Sequence, residues 1–133
     1  MIKFNNIKEV LEVIKKITYL NEIPILVVDE EEYILYCNKA FTKFICDEEN
    51  EIIGSNLRKY TDRNQFSIFQ INTVLRKNGI SNIYKSSFID KNSNIKNVYI
   101  SASPIFLENK MLIFALIFDL DAIKKALDIS FNF

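Results

Sequence analysis

Histidine and tryptophan are absent from the sequence, and glycine, proline and cysteine occur only twice each. Without histidine the chain has no imidazole for acid–base work, none of the usual zinc sites, no histidine-ligated haem and no phosphohistidine. Cys37 and Cys46 are too few and too irregularly placed for a metal motif or a disulfide framework, so they read as free thiols in a reducing cytosol. So little glycine and proline leaves no flexible linker, and no repeat or low-complexity stretch divides the chain. A charge excess is also missing. Lys plus Arg and Asp plus Glu number 17 each, so no field draws the chain to nucleic acid or to an anionic membrane. No apolar run approaches the roughly 20 residues of a membrane span, and charges interrupt the N-terminal MIKFNNIKEVLEVIKK where a signal peptide would be continuous. The expectation is a cytoplasmic, soluble protein without a direct nucleic-acid or membrane partner.

What is present is core material. Of 133 residues, 49% are hydrophobic and 13% aromatic, with 11 Phe and 6 Tyr, far from a disordered composition and enough for one domain. Residues 5 to 20 place Ile7, Val10, Ile14 and Ile17 at helical steps opposite Lys8, Glu9, Glu12, Lys15 and Lys16. That amphipathic helix is too short for a stable coiled coil alone, so its apolar stripe packs on the domain, on a second copy, or on both. After Pro24, Ile25 to Val28 and Tyr33 to Tyr36 read as a hairpin around the acidic turn Asp29 to Glu32. A short helix follows from Asn38, a potential cap, to Asp47. A loop with one glycine, EIIGSNLRKYTD, leads to a helix over Gln65 to Lys77 that Gly79 would end in a left-handed conformation. Ile80 to Asp90, Ile95 to Phe106 and Met111 to Leu120 read as three antiparallel strands, and a last helix runs from Asp121 to about Ile129.

ILVVDEEE is similar to the first strand of a response-regulator receiver, but the stretch INTVLRKNGI lacks the aspartate such a domain needs, and the last third is antiparallel. Over residues 22 to 121 the order instead resembles a PAS domain. The resemblance rests on IPILVVDEEEYILYCNKAF with Asn38, EIIGSN with Gly54, LRKNGI, VYISASPI with Pro104, and ALIFDLDAIKKA. It implies an α+β fold: a five-stranded antiparallel sheet with short helices on one face. It further implies a flanking and dimerising helix over residues 1 to 21 and a helix over 122 to 133 leading to an output domain. At that junction Asp119 matches the family's acid, while Asp121 stands where threonine is usual. The acidic run becomes a solvated turn.

GSNLRKYT resembles the flavin-binding blue-light subclass, yet the adduct-forming cysteine falls at Leu57 and the ring-facing polar positions at Phe88, Val98 and Ile117. Buried without partners, the flavin's polar atoms would cost roughly 1 to 3 kcal/mol each, so no flavin photoadduct is expected. Parity places Val98, Ile100 and Ala102 inward with Ile113, Ala115 and Ile117. With Phe41, Phe44, Leu57, Phe66, Phe69 and Phe88 above them, these residues form either a packed core or a cavity for an apolar small molecule such as a fatty acid or an aromatic compound. No convergent polar group is legible there. Phe114, Leu116 and Phe118 make the last strand apolar on its outer side too, and Ile7, Val10, Ile14 and Ile17 are the expected cover, within one chain or across a homodimer. The carboxylates of Asp29, Glu31, Glu32, Asp47, Glu48 and Glu49 read as solvated turn residues, and no nucleophile and base converge, so the domain is not expected to be an enzyme. The resemblance suggests a sensor relaying a core change to an output module, or else a ligand-free dimerisation scaffold. The chain ends at SFNF, which reads as a piece of a larger signalling protein: a histidine kinase, a cyclic-dinucleotide enzyme or a transcriptional regulator.

Overall fold

The computed structural model describes residues 6–18 and 21–131, without the side chains of Ile17 and of residues 126–131. An amphipathic helix, α1 (Ile7–Thr18), precedes a hairpin of β1 (Ile25–Asp29) and β2 (Ile34–Cys37). Then come α2 (Lys39–Ile45), the single turn α3 (Glu49–Ile52), two 3-10 turns at Leu57–Tyr60 and Arg63–Gln65, and α4 (Phe66–Lys77). The strands β3 (Asn82–Ile89), β4 (Ile95–Phe106) and β5 (Met111–Asp119) lead into α5 (Leu120–Phe131). Strand and helix bounds differ from the sequence reading by one or two residues. The larger difference is in EIIGSNLRKYTD, which is largely helical turns rather than open loop.

All five strands form one antiparallel sheet in the order β2-β1-β5-β4-β3. β1 lies beside β5, so the two strands nearest the chain ends occupy the centre of the sheet, and both are covered on both faces. Period-two alternation then splits them. Leu26, Val28, Ile113, Ala115 and Ile117 face α2, α3 and α4 in the inner cluster; Ile25, Val27, Leu112, Phe114 and Leu116 face α1 in the outer one.

Local chemistry fixes the connections. α4 ends in a Schellman motif: Gly79, at φ +77°, donates its N–H to Arg76 O, and Ile80 donates to Leu75 O. Gly54, at φ +91°, donates to Ile34 O and seats α3 against β2. Cys46 closes α2 at φ 59°, a conformation that glycine or asparagine adopts at lower cost.

Candidate functional site

The inner cluster is aromatic at its centre. Phe88 on β3 meets Phe41, Phe44 and Phe69 at ring-centroid distances of 6.0, 5.9 and 6.1 Å, Phe41 meets Tyr60 edge-on at 6.4 Å, and Phe69 meets Tyr84 edge-on at 6.3 Å. Edge-to-face pairs at these spacings are favourable packing beyond burial alone. Leu57, Val98, Ile100 and Ile117 are buried in the same cluster. The positions tested for flavin, Leu57, Phe88, Val98 and Ile117, are therefore buried together and wholly apolar, which does not suit the polar rim of an isoalloxazine. Phe66 stands apart: it is half-buried beneath the Arg58 guanidinium, 5.1 Å from the ring centroid. It begins α4 on the side turned to Arg58 rather than to the sheet.

Polar groups do reach the inner side, contrary to the sequence reading. Even-numbered residues of β3 point inward, so Asn82, Tyr84 and Ser86 share that face with Phe88. The Ser86 hydroxyl donates to Gln65 Oε1 at 3.0 Å, and Asn82 Nδ2 donates to Asn72 Oδ1 at 3.0 Å. Arg76, only 1% exposed, donates from Nη1 to Ile80 O at 2.6 Å and from Nη2 to Asn82 Oδ1. Its spacing from Phe69 and Thr73 is helical, so the inward direction is legible in the sequence, although a cation at such a position is ordinarily solvated. Burial lowers the Arg76 pKa and pushes the Tyr84 hydroxyl up.

The acidic turn is solvated only in part. Asp29 Oδ1 accepts from Glu31 N and Tyr33 N, as a turn residue should, and Glu30 Oε1 accepts from Met111 N. Glu32, however, is only 5% exposed and lies at φ 73°; its carboxylate meets Arg58 Nε at 3.3 Å and the Thr73 hydroxyl at 3.4 Å. It is an anchor between the hairpin and α4. Asp47, too, is buried rather than solvated: it accepts from Glu48 N at 2.8 Å, Tyr60 Oη at 2.9 Å and Lys91 Nζ at 3.3 Å. Burial pushes its carboxyl up, but those donors outweigh it and hold the pKa below the usual range, while burial and Asp47 push Tyr60 up to about 12. Among the described residues no acid, thiol and imidazole cluster could hold a metal ion.

On the outer face Val10 and Ile14 of α1 are buried with Ile25, Val27, Tyr36 and Leu112, and Ile7, Phe114 and Leu116 pack against them. Phe118 is half-buried at the far end of β5, in register with Tyr99 and outside this cluster. The Ile17 side chain lies outside the described residues. Polar contacts hold the C-terminal end of α1. The Thr18 hydroxyl is 3.0 Å from Tyr36 Oη, and fully buried Asn38 donates from Nδ2 to Thr18 O, Asn21 O and Ile23 O. Asn38 Oδ1 meanwhile accepts from Ile25 N and Phe41 N, so one side chain joins α1, β1 and the start of α2. At the other end Asp119 Oδ1 accepts from Asp121 N at 3.1 Å and Ala122 N at 3.2 Å, capping α5; Asp121 itself is exposed in its first turn.

The sequence profile described as PAS fold matches residues 16–118. No curated protein matches the chain significantly. Among solved structures, a PAS domain from a two-component sensor histidine kinase is similar at 11% identity and TM-score 0.70, over 86% of this chain and 99% of that one. The PAS domain of an HTR-like protein from Haloarcula marismortui is similar at 14% identity and TM-score 0.71, over 85% and 93%. The LOV protein of Rhodobacter sphaeroides is similar at 15% identity and TM-score 0.74, over 85% and 68%.

Proposed function

Because the chain belongs to the PAS fold family, whose members are sensory modules of signalling proteins, we propose that it senses a change in its core and relays it through α1 and α5 to an output module in the same polypeptide. The output would be a histidine kinase, a cyclic-dinucleotide enzyme or a transcriptional regulator. One observation carries the reading: β1 and β5 are buried on both faces, so the inner cluster and the α1 cluster share the same two strands. A shift of Ile117 or Ile113 moves the backbone that carries Phe114 and Leu116. Close-packed groups transmit such shifts rather than absorb them. Asn38 adds a polar route from α2 to the end of α1.

The domain boundaries at residues 1–21, 22–121 and 122–133 belong to this proposal, as do a homodimer built on α1 and an apolar small molecule lodged among Phe41, Phe44, Leu57, Phe69, Phe88, Val98, Ile100 and Ile117. Among the described residues no helix is long and apolar enough to cross a membrane. A second reading, a ligand-free dimerisation scaffold, is favoured by the ring contacts of 5.9 to 6.4 Å that fill the centre of the inner cluster. Native mass spectrometry of the protein as purified, compared with its denatured mass, separates the two. A small-molecule mass lost on denaturation supports the sensor, whereas a bare dimer supports the scaffold.

A further inference from the structure

Arg76 is a permanent cation that the described structure buries without an anion. The ion pairs among the described residues belong to Arg58, Lys59, Lys91 and Lys96. Arg76 instead meets only neutral acceptors, Ile80 O and Asn82 Oδ1, and its Nε is the one buried side-chain nitrogen or oxygen among the described residues left without a hydrogen bond. A loop cap would explain Nη1. It does not explain a full positive charge removed from water, which is among the most unfavourable burials a fold can make unless a counter-charge offsets it.

We infer that Arg76 is the recognition point for a small carboxylate, an inference that rests on the sensory reading and specifies its ligand class. The Nε and Nη2 donors form the edge of the guanidinium that matches a planar carboxylate with two parallel hydrogen bonds. Nε is enclosed yet carries an unpaired N–H, and Nη2 is held only by the Asn82 amide oxygen, which an incoming carboxylate oxygen would replace. Asn82 is half-buried at the start of the edge strand β3, so this exchange has a route from solvent. Its released amide stays tethered through Asn72.

The surroundings narrow the ligand further. The Tyr84 ring lies 5.9 Å from the Arg76 guanidinium and packs against the inner cluster through Phe69. A carboxylate carrying a small aromatic or aliphatic body would place its charge on Arg76 and its body against the half-buried Tyr84 ring at the sheet edge. One cation calls for one negative charge; a phosphate dianion would leave a second charge buried and unpaired.

The chain has three arginines, Arg58, Arg63 and Arg76, so its Nε–Hε resonances can be assigned one by one with Arg58→Lys and Arg63→Lys. Benzoate is the probe and benzamide its neutral control, added to isotope-labelled intact chain. Benzoate should shift the Arg76 Nε–Hε signal saturably and benzamide should not. In Asn82→Ala, which removes the competing acceptor, benzoate should bind about fivefold tighter. The inference is overturned if benzoate leaves the Arg76 signal unmoved, if benzamide shifts it equally, or if Asn82→Ala weakens binding. A neutral small molecule retained in native mass spectra, together with an unmoved Arg76, would remove the carboxylate and leave the sensory reading standing.

Discussion

Asn38 shows how much a single side chain can carry. Truncation to alanine strands the N–H of Ile25, leaves Phe41 N with its bond to Asn38 O alone, and frees the three carbonyls it ties. Asn38→Ala is expected to lower unfolding free energy by about 3 kcal/mol in a denaturant titration. Its capping role was legible from its place before an amphipathic run, but its contacts to Thr18, Asn21 and Ile23 are tertiary and left no local trace. Glu32 and Asp47 were misread for a related reason: acids in turns are solvated by default, and only the approach of Arg58 and Thr73, or of Tyr60 and Lys91, makes burial favourable. Asp47 also sets a pH dependence. Its lowered pKa means that the folded state favours the carboxylate, a contribution complete above the unfolded value of about 3.9 and lost as pH falls through the folded value. The stability difference between wild type and Asp47→Asn should therefore shrink below about pH 4; a constant difference would contradict this. The thiols differ as well. Burial pushes Cys37 up to about 12, whereas Cys46 is exposed. A thiol reagent at neutral pH should label Cys46 quickly and Cys37 only on unfolding.

At the scale of elements, the regular patterns were readable and the irregular ones were not. The 3.6-residue stripe of α1 and the alternation of β4 and β5 predicted which residues face inward and which outward, because each side of these elements meets one layer. The segment from α3 through the two 3-10 turns is held by caps and single bonds, such as Asn56 Oδ1 accepting from Arg58 N and Asp62 Oδ1 from Arg63 N. Turns of three or four residues are too short to show a period. α1 also carries a test of the proposed dimer. Val13 is 39% exposed and stands outside the outer cluster, so Val13→Lys should leave the melting temperature nearly unchanged. If α1 pairs with its twin, the same change should shift light scattering toward monomer; an unchanged mass would remove α1 from the dimer contact.

Across the whole molecule, strand order was the part that local pattern could not supply. Alternation shows that β1 and β5 are strands, and only the family resemblance suggested how the sheet is assembled; that β1 sits against β5 follows from contacts between residues some ninety positions apart, Ile25 with Leu116 among them. That pairing underlies the functional account, since it makes two central strands serve both clusters. Hydrogen exchange of intact wild type and Phe88→Leu tests it directly. Phe88 meets the rings of Phe41, Phe44 and Phe69 in the inner cluster, while Val10 and Ile14 of α1 lie in the outer one. The account predicts faster exchange in α1 at residues 8–18 alongside β5, at denaturant-free conditions where global unfolding is negligible. Altered exchange confined to β3, α2 and α4, with α1 unchanged, would contradict it.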